Sequence, residues 1–288
     1  MNRRRFLTIA AASLACPAHA TTPQIWQGQA LGAAGKITLT GTTPTHARHL
    51  FRKIERTLTQ IDAQFSLYRD SALTRLNRDG HLSHPAPEIL ALCQLASQIH
   101  TATNGAFDPS IQPLWLATAT NGDIANARRQ IGWSRVQITK TAISLAPGMA
   151  LTFNGIAQGH AADQIAALLR AEGLTDTLID MGEINALGTN NGTPWRAAIA
   201  LPTGEIIAQT SLTNRALATS SPRGTLIGQN QPHILHPNGT AAPWQLASVS
   251  APSAALADAL STAFCLMDRA AIAKTLAAFP QTRLQALA

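Results

Sequence analysis

Ala247-Ser248-Val249-Ser250 leads through Ala251-Pro252-Ser253 into Ala254 to Met267, so one stretch passes from a strand-like segment through a turn into an apolar helix. The helix carries Asp258 and Thr262 four residues apart, which puts both oxygens on one face. A carboxylate and a hydroxyl so placed suit magnesium, a hard ion that takes few protein ligands and leaves room for phosphate. The plainer alternative is a threonine bonded to its own helix backbone beside a solvated aspartate.

Working outward, Gly35 to Thr40 alternates like a strand, and Leu50, Ile54, Leu58 and Ile61 mark an amphipathic helix over 46–65. Helices are predicted over 88–101, 162–170 and 270–279. A hairpin is expected from 136–138 and 142–145. Strands are expected at 177–180, 195–201 and 205–212, and from Gln231 towards the Pro237-Asn238-Gly239 turn. Strands and helices interleave without a strict βαβ rhythm, which favours an α+β fold over a doubly wound sheet.

The chain has 288 residues, 45% hydrophobic and 13% charged, enough to bury a sizeable core. Its first 20 residues read as an export signal: Arg3-Arg4-Arg5-Phe6-Leu7, a short apolar run, then Ala18-His19-Ala20. The Arg-Arg-x-Phe-Leu order is of the twin-arginine kind, with an ordinary secretory signal as the alternative. Lipidation at Cys16 is the poorer match, because Ser13 is unfavourable three positions before the cysteine. Periplasmic residence follows as the expectation, with 21–288 as the mature domain. Without Arg3 to Arg5, 19 basic residues face 15 acidic ones, a net of +4. The cations are scattered, which argues against a nucleic-acid partner. Cys93 and Cys265 lie in apolar helix-like runs and read as buried free thiols.

Four further constellations could carry chemistry. Gly105-Ala106-Phe107-Asp108-Pro109 follows a helix, and Asp108 either ends structure or meets a ligand. Gly155 and Gly159 stand before the predicted 162–170 helix, where close backbone approach would suit a phosphate. His160 and Asp163 read as helix-entry residues there. Asp180-Met181-Gly182-Glu183 is a strand-end turn that could meet a nucleotide's ribose or base. His233 and His236 offer imidazole bases, and strand alternation would turn only one of them into a site.

Taken in order, these segments resemble the ApbE family of FAD:protein FMN transferases along nearly all of the chain beyond residue 20. The resemblance is carried by Phe65 to Ser71, closing on Asn77; Thr103 to Pro109; Gly155 to Asp163; Ala216 to Ser221; His233 to Gly239; and Ala251 to Thr262. It implies an α+β, T-fold-like architecture of mixed sheets with packed helices. It implies transfer of FMN from FAD to a Ser or Thr hydroxyl of an exported or membrane-associated electron-transfer protein, with AMP released. Asp258, Thr262 and the main-chain oxygen of Gly155 would hold Mg²⁺. Leu31, Tyr68, Ala106, Phe107, Asp108 and Gln158 would contact FAD, and His233 would be the base. The alternatives are a flavin-delivery protein and an FAD pyrophosphatase. Three positions depart from the family pattern: Gln158 replaces its lysine, Met181-Gly182-Glu183 its Gly-Gly-Asp, and His236 its aspartate.

Overall fold

A computed structural model describes residues 22–288. The expected leader, with Arg3 to Arg5 and Cys16, lies outside the described residues. The chain enters with β1 (Gln24–Ala30) and β2 (Ala33–Leu39), then α1 (Pro44–Phe65) and α2 (Ala72–Asp79). A short β3 (His81–Ser83) leads to α3 (Pro87–Ala102), α4 (Gln112–Thr120) and α5 (Ile124–Arg129). After β4 (Gln137–Ile138) and β5 (Ala142–Ser144) come α6 (Ala157–Ala171), β6 (Thr177–Asp180) and β7 (Ile184–Leu187). The hairpin of β8 (Trp195–Ala200) and β9 (Ile206–Leu212) precedes β10 (Arg215–Ser220), β11 (Leu226–Ile227) and β12 (Gln231–Pro232). β13 (Ala247–Ala251), α7 (Ala254–Phe264), α8 (Arg269–Ala278) and β14 (Arg283–Leu287) follow.

Seven strands form the main sheet in the order β1-β2-β6-β7-β10-β13-β14. Every neighbouring pair in it is antiparallel. Side-chain alternation divides its two faces. Ile179, Leu187, Ala216 and Ala218 join the large core with α1, α6 and α7. Leu178, Ile184, Ala186 and Leu217 join a smaller core with Trp195, Ile199 and Leu212 of the β8–β9 hairpin. Both faces of β6 and β7 are therefore covered, and every residue of both strands is buried.

α1 forms as the spacing predicts. Thr43 caps it, Pro44 begins it, and Leu50, Ile54, Leu58, Ile61 and Phe65 are its buried stripe. α7 is enclosed by α6, β10 and β13, and nearly all of its residues are buried. Cys93 and Cys265 are buried free thiols whose pKa burial pushes up to about 12. No helix among the described residues is long and apolar enough to cross a membrane.

Two expectations need correction. α6 begins at Ala157, so Gly159 lies within its first turn and not ahead of the helix. The segment after Gln231 pairs over only two residues, because Pro232 and Pro237 remove ladder donors, so the histidines sit in a loop.

Candidate functional site

α6 and α7 meet at the floor of the site. A Cβ on Gly159 would fall 2.3 Å from the Ala254 carbonyl oxygen, so only glycine allows this approach. The Gly159 N–H donates to Asp258 Oδ2 at 3.1 Å, and so serves the carboxylate of the neighbouring helix. Asp163, one turn along α6, accepts from Ser253 Oγ (2.7 Å), Ala254 N (2.8 Å) and Ala255 N (3.0 Å), and from Asn185 Nδ2 (2.7 Å) on β7. Ser253 Oγ in turn accepts from Leu256 N. The first-turn N–H groups of α7 at 254, 255 and 256 are thereby satisfied, two of them by a carboxylate that also complements the helix dipole. Asp163 is thus a clamp between α6, α7 and the sheet, more than an ordinary helix-entry residue. His160, also inside α6, is buried edge-on against Phe65 at 5.6 Å between ring centroids.

Above this floor lies a cavity of about 290 Å³, which Gly155, Gln158, Asp258, Thr262 and His233 all line. Asp258 is only 3% exposed, and burial drives its pKa up to about 7 against the opposing Gly159 hydrogen bond. Glu183, 6% exposed, is pushed well above the carboxylate range, first by burial and then by the charge of Asp258. Its carboxylate accepts from Thr219 N at 3.3 Å. Asp180 lines the same wall, where its Oδ1 accepts from Gly182 N at 3.0 Å. The Gly182 φ of 96° lets the 181–183 turn close between β6 and β7, and Gln158 packs against it. Ser220 Oγ, at the end of β10, lies 3.2 Å from Thr262 Oγ1 and 2.8 Å from Ser261 Oγ.

Among the described residues that line the cavity there are carboxylates and hydroxyls but no lysine or arginine. Carboxylates removed from water without a cation are costly, and a hard divalent ion would offset that cost. The donors fit such an ion: Asp258 and Thr262 share a face, and a Cβ on Gly155 would come within 3.2 Å of Thr262 Oγ1, so the glycine backbone comes close to that hydroxyl. No three His, Cys, Asp or Glu side chains among the described residues converge as a ligand set, so a cation here would draw on hydroxyl and main-chain oxygens. Asn77 fixes the segment that carries Gly155. It bonds both ways with Leu151, through Oδ1 to the N–H (2.7 Å) and through Nδ2 to the carbonyl (2.8 Å).

His233 Nδ1 lies 3.0 Å from the Pro222 oxygen and 3.1 Å from the Thr225 oxygen. Carbonyls only accept, so the ring proton belongs on Nδ1, and in the neutral imidazole Nε2 carries the lone pair. His236 does not line the cavity; its Nδ1 accepts from Asn238 N within the turn. One histidine of the pair reaches the site, as alternation suggested, but loop geometry makes the choice.

Ala106, Phe107 and Asp108 also line the cavity. The Asp108 carboxylate is engaged by its own surroundings: it accepts from Ser110 N (2.8 Å), Ser110 Oγ (2.6 Å) and Trp133 N (3.4 Å), and stands 3.4 Å from His100 Nε2. Its side chain shapes the loop, leaving Ala106 and Phe107 to present the loop's apolar face. Leu31 and Tyr68 fall elsewhere. Both line a second cleft between the β1–β2 hairpin and α1, where Leu31 N donates to Asp62 Oδ1 at 3.0 Å and Tyr68, 59% exposed, lies beside Gly32. The two clefts share the hairpin, since Ala33 and Ala34 line the first. Trp115 on α4 lines the main cavity and was not foreseen; α4 has no pronounced apolar stripe, and only its Leu114 is buried.

The ApbE family model matches residues 31–287. A Salmonella typhimurium protein named FAD:protein FMN transferase is 28% identical over 276 residues, covering 85% of this chain and 78% of its own length. An Escherichia coli K12 protein of the same name is 27% identical over 282 residues, covering 86% and 80%. The apo form of the Pseudomonas stutzeri flavinyl transferase ApbE superposes with a TM-score of 0.79 at 26% identity, covering 91% of this chain and 90% of that one. The ApbE protein of Thermotoga maritima shares the fold with a TM-score of 0.80 at 22% identity. The family model covers almost all of the described residues, and this chain therefore belongs to the ApbE family.

Proposed function

We propose that this chain is an exported, Mg²⁺-dependent transferase that moves FMN from FAD to a Ser or Thr hydroxyl of an acceptor protein and releases AMP. The observation that carries this reading is the meeting of Asp258, Thr262, Gly155 and His233 around one cavity in a chain of the ApbE family. Asp258, Thr262 and the Gly155 carbonyl would hold the Mg²⁺, which when bound supplies charge neutralisation at the FAD diphosphate and the departing AMP. Asp163 and Gly159 keep Asp258 in place before substrate arrives, so little reorganisation is needed. With Nδ1–H held by two carbonyls, His233 directs its Nε2 lone pair to the acceptor hydroxyl and takes its proton. The hydroxyl oxygen bonds to the FMN-side phosphorus as the bond from that phosphorus to the bridging oxygen breaks, and AMP leaves. Export by a twin-arginine-type leader would place the acceptor in the periplasm or on the membrane facing it.

The test is to incubate residues 21–288 with FAD, Mg²⁺ and a candidate acceptor, then to measure acceptor mass and AMP. One FMN mass gained per AMP released is the expected result. AMP with free FMN would make the chain a pyrophosphatase, and FAD bound without products would make it a carrier.

A further inference from the structure

The main cavity holds one aromatic side chain that the chemistry above leaves unused. Trp115, half-buried on α4, lines it beside Ile111 and Gln112. The chain has five tryptophans. Four donate their indole N–H to protein acceptors: Trp26 to Glu55 (3.3 Å), Trp133 to Ser97 Oγ (2.9 Å), Trp195 to the Leu187 oxygen (2.9 Å) and Trp244 to the Met267 oxygen (2.7 Å). Among the described residues Trp115 alone makes no such bond. A tryptophan with an apolar body in a cleft and an uncommitted donor is suited to a ligand that is flat, apolar on its faces and polar at its edge.

A dinucleotide offers two such ring systems, one at each end of a charged diphosphate. The carboxylate and hydroxyl wall suits the diphosphate through a cation, which leaves the rings to find flat apolar surfaces elsewhere. Phe107 is 5% exposed and packed towards Gly155, His233 is committed to the acceptor, and Tyr68 belongs to the second cleft. We propose that Trp115 is the platform on which one planar ring system of the dinucleotide, purine or isoalloxazine, stacks, with Nε1–H donating to a ring nitrogen or carbonyl at its edge. This rests on the flavin reading above and assigns a binding residue to it.

The experiment compares the unsubstituted chain with Trp115→Phe and Trp115→Ala, all with Mg²⁺. The emission difference between the unsubstituted chain and Trp115→Phe isolates Trp115 from the other four tryptophans. FAD, AMP and FMN are titrated separately, with binding measured independently by equilibrium dialysis. FAD should quench the Trp115 emission, and whichever of AMP or FMN reproduces the quenching identifies the stacked ring. Trp115→Ala should weaken FAD binding by roughly 5- to 150-fold, the range of base–aromatic stacking. Trp115→Phe should weaken it less, and KM should rise with kcat little changed. If Trp115→Ala does not fold, the quenching in the unsubstituted chain and the Phe variant's affinity decide the matter. FAD binding with Trp115 emission unchanged and affinity retained in the variants overturns the Trp115 assignment alone. No FAD binding by the unsubstituted chain overturns the flavin reading and this inference with it.

Discussion

The floor of the main cavity and the hairpin that flanks it are built on opposite plans. On the floor, each polar group is held from another element: Asp258 by Gly159, Thr262 by Ser220, and the start of α7 by Asp163. On the hairpin side, Leu31 is tethered to Asp62 through one backbone bond, and Tyr68 stands largely in solvent. The Arg69–Asp62 pair there spans 4.0 Å with the arginine mostly exposed, a geometry of little energetic weight. The contrast separates a rigid part, where charge must be placed before the substrate arrives, from an adaptable part that can follow a ligand. Substitutions should therefore divide the same way: on the floor they cost chemistry or stability, on the hairpin at most affinity.

The largest effect should come from Asp258→Ala. It removes the only carboxylate among the three proposed metal-holding groups, and Mg²⁺-dependent transfer should fall to background. Because an uncompensated buried carboxylate is itself costly, the variant should keep its circular dichroism and melt no lower in metal-free buffer. Transfer that survives in Asp258→Ala would break the assignment of the floor. Next in size is Asp163→Ala, which strips two first-turn donors of α7, one serine and one asparagine of their acceptor. A loss of roughly 3 kcal/mol of stability is expected in denaturant unfolding. Asp163→Asn should recover only part of it, because the charge facing the helix dipole is gone.

Much of the floor was legible because its signals are local. The four-residue spacing of Asp258 and Thr262 puts both on the cavity face, and α1 follows its apolar interval of three and four. What was not legible depends on contacts distant in sequence. Gly159 read as a phosphate turn because nothing nearby shows that α7 will press on it from 95 residues away. Ile184-Asn185-Ala186-Leu187 has no polar alternation, since β7 is covered on both faces, and so escaped notice as a strand. β1, β10 and β14 were likewise not foreseen, because their pairing partners complete the sheet only in three dimensions. Asp108 read equally well as ligand or terminator, and Ser110 and Trp133 supply the bonds that make its carboxylate structural.

A smaller effect tests the floor from its apolar side. His160 is buried against Phe65, its Nε2 has no hydrogen-bond partner, and desolvation lowers its pKa despite the charges of Asp163 and Glu88. The unfolded chain therefore binds the proton more readily than the folded one. Stability tied to this residue is complete above the unfolded value of about 6.5 and declines as pH falls below it, by at most about 1.4 kcal/mol per pH unit. His160→Phe, which keeps a ring against Phe65 and removes the titratable imidazole, should flatten the decline in urea midpoints between about pH 6.5 and 5. An unchanged slope in a folded variant would place the acid sensitivity elsewhere.

The smallest change in stability belongs to Tyr68→Ala. With 59% of the residue exposed and its backbone N–H donating to Ser66 Oγ, a bond that truncation leaves in place, the change should move stability by less than about 0.5 kcal/mol. Its effect on FAD affinity is the sharper test of the contrast between floor and hairpin. Tyr68 lines the second cleft, and only Ala33 and Ala34 of the adjoining hairpin reach the first. If the clefts stay separate when substrate binds, Tyr68→Ala should weaken FAD less than Trp115→Ala does. A loss as large as that of Trp115→Ala would mean that the hairpin folds over the nucleotide and carries the Tyr68 ring onto it, merging the two clefts. In that event the double variant should be non-additive, because removing one wall of a shared slot already forfeits part of what the other contributes.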